Sequence, residues 1–214
     1  IITNYRDSLF KGKHQMTRLL KDKIDWIVPK VKDKKVLDLG CVRHNLAETQ
    51  KEEWLHGLIA EEAREVLGVD YLQKEVDALR SLGYNVVCAN VETMEFPDQY
   101  EVVVAGDIIE HLNNFGLFMK QVHKHMTEDG VFLVTTPNPV NFRRFLQVCA
   151  TGRVGVNGEH TCWFTEKDLI QLANRYGLEK RETAYVDDSA QYCKGLKWKP
   201  FVFINSLIIC PLRH

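Results

Sequence analysis

The feature that most constrains this chain is an alternation. Five short apolar runs rich in β-branched residues (36–39, 66–69, 86–88, 102–105 and 131–135) are separated by stretches whose apolar residues recur at helical spacing. Trp54, Leu55, Leu58, Ile59 and Ala63 make one helical stripe, Leu72, Val76 and Leu79 a second that Gly83 ends, and Phe115, Phe118, Met119, Val122 and Met126 a third behind an Asn114 cap. Strands joined through helices cannot be hairpin partners, so they lie parallel with the helices packed on the sheet. Thr165 and Asp168 open one more helix that Gly177 stops, and runs 179–186 and 206–210 add two closing strands. The expected fold is a doubly wound α/β, mostly parallel seven-stranded sheet in a three-layer αβα arrangement.

The 214 residues, 45% hydrophobic and 27% charged, suffice for one core. A single domain over 1–214 is expected, with a helical segment at 1–34 and the sheet core at 35–214. The net charge of -1 argues against a surface devoted to nucleic acid or anionic membrane. No CxxC pair occurs among the six cysteines, which read as reduced and structural. The sequence has no signal peptide and no apolar run of transmembrane length, so a cytoplasmic location and no membrane partner are expected.

In such sheets ligands sit beyond the carboxyl ends of the strands. Asp38, Gly40 and Cys41 close the first run, and Asp70 closes the second, where a carboxylate can accept from both hydroxyls of a ribose. A dinucleotide site would need a second glycine for close approach to a pyrophosphate, and Val42 stands there instead. A nucleoside without phosphates tolerates that loss better.

Several segments together resemble the class I S-adenosylmethionine-dependent methyltransferases, whose fold is Rossmann-like. Val36-Leu37-Asp38-Leu39-Gly40-Cys41 is similar to the first motif, Val69-Asp70-Tyr71 to the second, and Cys88-Ala89-Asn90-Val91-Glu92 to the third. Gly106-Asp107-Ile108-Ile109-Glu110-His111-Leu112 resembles the segment after the fourth strand. Thr135-Thr136-Pro137-Asn138, Glu159-His160 and Phe164-Thr165 resemble the small-molecule and sugar branches. The resemblance implies S-adenosylmethionine as cofactor, S-adenosylhomocysteine as product, and a small-molecule or sugar acceptor, methylated at oxygen. It implies cofactor contacts at Asp38, Gly40, Cys41, Asp70, Tyr71, Asn90, Val91, Glu92, Gly106 and Asp107. Two departures stand out. Val42, Arg43 and His44 replace the glycine-rich continuation, and the stretch from Asp38 to Asp70 carries an insertion of roughly a dozen residues over the compact unit, including Trp54 and His56.

His111 and His160 are the candidate catalytic bases, both expected on loops at the carboxyl edge, with His160 on the freer loop. Asp107, Glu110 and His111 have a DxxEH spacing similar to the metal ligands of small-RNA 2′-O-methyltransferases and some ubiquinone-biosynthesis enzymes. The EHL ending also occurs in metal-free relatives, and no metal is expected. The alternatives are a cofactor-binding protein without catalysis and a metal-assisted RNA 2′-O-methyltransferase. Trp163, Trp198, Phe201 and Phe203 are read as core, as lining of an acceptor pocket, or as a partner surface.

Overall fold

The computed structural model describes residues 18–43, 53–187 and 204–213. Eight strands form one sheet: β1 (Arg18–Leu20), β2 (Lys35–Leu39), β3 (Glu65–Asp70), β4 (Val86–Cys88), β5 (Tyr100–Gly106), β6 (Met126–Pro137), β7 (Leu178–Asp187) and β8 (Ile204–Arg213). Their spatial order is β1-β7-β8-β6-β5-β2-β3-β4. Strands β4, β3, β2, β5 and β6 run parallel, and β8 pairs antiparallel with both β6 and β7.

The seven-stranded expectation is corrected by one strand. Part of the segment expected to be wholly helical, Arg18–Leu20, adds parallel to β7 and covers that edge. A three-residue strand carries too little pattern to be read against its flanks. Helix α1 (Ile24–Val31) follows it.

Helices α2 (Leu55–Glu62), α3 (Gln73–Ser81), α4 (Phe115–His125), α5 (Phe142–Thr151) and α6 (Glu166–Asn174) complete the described elements. Strand alternation splits the core between two faces. Leu37, Val103 and Phe132 pack with Phe118, Met119 and Val122 of α4 and Leu169 of α6. Their neighbours Val36, Val102 and Leu133 pack with Trp26, Ile27 and Val31 of α1 and Ile59 of α2. The expected caps are present: the Asn114 side chain accepts from Leu117 N–H, and Thr165 and Asp168 form a reciprocal capping box. This frame brings the carboxyl ends of β2, β3 and β5 side by side.

Candidate active site

At the end of β2 the chain turns at Gly40, whose φ is +80°, and Gly40 N–H donates to Val69 O at 2.8 Å. A Cβ at Gly40 would lie 2.9 Å from Ile108 Cδ1, so a side chain is excluded by both conformation and space. The Asp70 carboxylate holds the next residues: one oxygen accepts from Val42 N–H at 3.0 Å and the other from Leu72 N–H at 3.1 Å. Burial pushes the Asp70 carboxyl above the usual carboxylate range against the pull of those backbone N–H groups.

The departure from the glycine pattern is filled from the far side of the insertion. Trp54 Nε1–H donates to Cys41 O at 2.8 Å, pinning the turn. His56 Nδ1 lies 2.8 Å from Asp38 Oδ2, and both side chains are buried. Room for the imidazole comes from Gly68 on β3, where a Cβ would lie 2.6 Å from His56 Cε1. Trp54, His56 and Tyr84 pack ring against ring around it. A sequence signal existed for His56, since it shares the buried helical face of α2 with Ile59.

Asp107, just past β5, is a non-glycine residue at φ +53°, a conformation held only by its surroundings. Its N–H and carboxylate both bond Thr135, and its other carboxylate oxygen takes the Lys23 ammonium. Burial works to raise the Asp107 carboxyl, but the Lys23 charge and the hydrogen bonds hold it below the usual range. Burial likewise opposes the Lys23 charge, yet Asp107 leaves that ammonium held above its ordinary value. Nothing in the sequence marked Lys23, because its partner is 84 residues away.

Beyond Asp107, the turn Ile109–His111 carries Glu110, which is buried and accepts from Thr136 Oγ1–H at 3.0 Å. Burial, with the Asp107 charge adding to it, pushes the Glu110 carboxyl up to about 8. Thr161 straps a distant segment onto this turn through N–H and Oγ1–H bonds to Glu110 O and an Oγ1 contact with Leu112 O. His160 is thereby brought against His111, with ring centroids 4.7 Å apart and planes at 86°. His111 Nδ1 sits 3.2 Å from Glu159 O, a carbonyl that can only accept, so in the neutral ring Nδ1 is the donor and Nε2 the acceptor. His160 is arranged the other way. Its Nε2 faces the Asn157 amide nitrogen at 3.3 Å, which leaves the proton on a buried Nδ1 that has no partner. Burial and the neighbouring His111 and Arg144 lower the His160 imidazole from its ordinary value.

One oxygen of Glu110 and one nitrogen each of His111 and His160 lie within 4.8 Å of one another. Two imidazoles and a carboxylate are a donor set that can hold a divalent transition metal or zinc.

The expected residues thus divide. Asp38, Gly40, Cys41, Asp70, Gly106 and Asp107 gather at the ends of β2, β3 and β5. Val91 is core, and the Glu92 carboxylate accepts from Asn113 and Asn114 N–H, tying loops together. Asn90 is exposed, and its amide oxygen accepts from Glu92 N–H at 2.8 Å. Tyr71 is 74% exposed. Trp163 stacks under the Arg144 guanidinium, 4.3 Å from the ring centre. His44, Trp198, Phe201 and Phe203 lie outside the described residues.

The chain matches the family model described as a methyltransferase domain over residues 13–183. It is 30% identical over 152 residues to a protein of Mycolicibacterium smegmatis assigned as an S-adenosylmethionine-dependent methyltransferase, covering 69% of this chain and 53% of that one. The ubiquinone biosynthesis O-methyltransferase of Aeromonas salmonicida is 26% identical over 186 residues, 83% of this chain and 76% of that protein. Nitrogen chemistry is represented as well, by the (S)-tetrahydroprotoberberine N-methyltransferase of Eschscholzia californica, 30% identical over 103 residues, 46% of this chain and 28% of that one. The chain therefore spans about half or less of the length of the mycobacterial and plant relatives. In fold it resembles the crystal structure of an S-adenosylmethionine-dependent methyltransferase from Archaeoglobus fulgidus, with TM-score 0.67 and 15% identity over 90% of this chain and 92% of that one. On the extent of the family match, with a fold shared with solved structures of S-adenosylmethionine-dependent methyltransferases, the chain belongs to the class I S-adenosylmethionine-dependent methyltransferase family.

Proposed function

We propose that this chain transfers the methyl group of S-adenosylmethionine to an oxygen of a small-molecule or sugar acceptor, with His111 taking the acceptor's proton. The cofactor supplies an electrophilic methyl group on a sulfonium. Fit to that cofactor rests on the donor set. Each Asp70 oxygen accepts one backbone N–H and retains a second acceptor direction, so the carboxylate can still take a ribose diol. Gly40 leaves its backbone bare at the strand end. At Asp107 the carboxylate already accepts an ammonium, that of Lys23, the same donor chemistry that the amino group of the cofactor would offer.

Methyl transfer asks the protein for collinear placement and, for a hydroxyl acceptor, for removal of a proton. The observation that carries the reading is the His111–Glu159 contact, which in the neutral ring puts the Nε2 lone pair of His111 on the side away from Glu159, beside His160. His160, beside it, lines the cavity in which the acceptor would lie. Two relatives' names point to different acceptor atoms, and the oxygen reading follows the one matched over more of this chain.

The test is a panel of hydroxyl and amine acceptors assayed by S-adenosylhomocysteine release, with His111→Gln alongside. The expected result is turnover on hydroxyl acceptors, a kcat reduced by roughly a hundredfold in the variant, and unchanged S-adenosylhomocysteine affinity. Turnover confined to amines, or a variant as fast as the parent, would overturn it.

A second reading is favoured by one observation, the convergence of Glu110, His111 and His160. In it these residues hold a divalent ion that lowers the acceptor hydroxyl's pKa. Calorimetric titration with zinc or manganese decides between the two: heat that disappears in Glu110→Gln supports the metal, and its absence from the parent removes it.

A further inference from the structure

Nine large hydrophobic side chains are exposed among the described residues, and six of them lie between Val140 and Val156. They are Val140 (76%), Phe145 (61%), Leu146 (45%), Val148 (38%), Val154 (50%) and Val156 (57%). Helix α5 sits in the middle of this stretch, and every residue on it from Phe145 to Thr151 is exposed, apolar and polar alike. Its start is held to the body, where the Arg144 guanidinium packs on Trp163 and donates to Asn138 O, and the Asn141 side chain caps the first turn. A surface helix normally buries its apolar stripe, and large apolar side chains left exposed in one segment mark something that covers them.

Two observations indicate what does. Between Asn138 and Gly158 the sequence has Arg143, Arg144 and Arg153 and not one Asp or Glu, so the segment is purely cationic although the chain as a whole carries a net charge of -1. The patch is also continuous with the candidate active site. Val156, with His160, Thr161, Cys162 and Trp163, lines a cavity of about 230 Å³. Exposed apolar side chains in a segment whose only charges are arginines suit the boundary between acyl chains and anionic headgroups, where a short helix lies in the plane of the bilayer. Ten residues of helix cannot cross it, and no helix among the described residues is long and apolar enough to do so.

We infer that residues 140–156 dock this protein on an anionic lipid surface, with α5 lying in the interface and the His160 cavity opening at its edge. Neither sequence ground for setting a membrane aside reaches this segment: the absence of an apolar run of spanning length bears on spanning and not on surface binding, and the net charge of -1 is a whole-chain sum that this segment, with three arginines and no acid, does not share. An apolar acceptor dissolved in the bilayer would then reach His160 without crossing water.

The experiment uses the full chain without cofactor or acceptor, so it does not depend on methyl transfer. Flotation is measured with phosphatidylcholine vesicles with and without phosphatidylglycerol, for the parent and for Phe145→Ser/Leu146→Ser. Both side chains are exposed, so the double variant should melt at the parent temperature. The expected result is binding to vesicles containing phosphatidylglycerol, weakened by salt, and a partition coefficient reduced by roughly tenfold or more in the variant. No flotation of the parent would overturn the inference, as would a variant that floats equally well. Binding that ignores phosphatidylglycerol and salt would overturn the anionic assignment. Sedimentation velocity is run in parallel: a parent dimer that the same double variant dissociates would assign the face to a second copy of the chain and overturn the lipid surface.

Discussion

Gly68→Ala adds one methyl group at a point where the structure has no room for it. Gly68 pairs with Asp38 across β2 and β3. Its new Cβ would lie 2.6 Å from His56 Cε1, 2.9 Å from Cys41 Sγ and 2.9 Å from Val86 Cγ1. The imidazole cannot simply swing clear, because Asp38 holds Nδ1 at 2.8 Å and Trp54 and Tyr84 bound the ring. Overpacking of this kind costs about 1–3 kcal/mol. If the ring yields, the bond to the buried carboxylate is lost, which costs about 1.5–3 kcal/mol. These are alternative ways of relieving one clash and do not add in full, while alanine's gain over glycine in a strand returns about 0.5–1 kcal/mol. The net expectation is about 1–3 kcal/mol of destabilisation, read from urea denaturation midpoints at unchanged m-value. Because Asp38 and Cys41 belong to the cofactor turn, S-adenosylhomocysteine affinity should fall as well. A double-mutant cycle isolates the cause. In a His56→Ala background the tightest of the three contacts is gone and those with Cys41 and Val86 remain, so Gly68→Ala should still cost something but less than in the parent. A tolerated single variant, or the same cost in both backgrounds, would refute the idea that the imidazole fills a place reserved by Gly68.

Asp70→Ala would leave the N–H groups of Val42 and Leu72 without acceptors and remove the ribose acid, so cofactor affinity should drop by about 1.5–3 kcal/mol in calorimetry; unchanged affinity would place the ribose elsewhere. The Glu110 carboxyl, raised to about 8 from 4.5, keeps its proton better in the folded than in the unfolded chain. The folded state thus binds more protons between those values, and stability falls as pH rises through that window. From pH 6 to 9 the parent should lose about 3 kcal/mol that Glu110→Gln does not lose, measured by urea denaturation in the presence of a chelator; parallel profiles would contradict it. Lys23→Met should cost about 1–2 kcal/mol, since the pair with Asp107 is partly exposed, and differential scanning calorimetry would show it as a lowered Tm.

Much of the frame was legible in the order of residues because it is written in period and chemistry at short range. Alternating apolar runs set the parallel strands, Asn114 and Thr165 set two helix starts, and Asp38, Gly40 and Asp70 marked the strand ends that the structure brings side by side. Those signals need only a few neighbouring residues. Tertiary structure alone decided the rest, because it concerns pairs far apart in sequence. It set Lys23 on Asp107, brought His160 to His111 through the Thr161 strap, and put His56 beneath the cofactor turn in the space left by Gly68. It also left α5 exposed from Phe145 to Thr151, held to the body at its start by Arg144 on Trp163. The composition of that helix is the same whether or not another element buries it; only the tertiary packing decides.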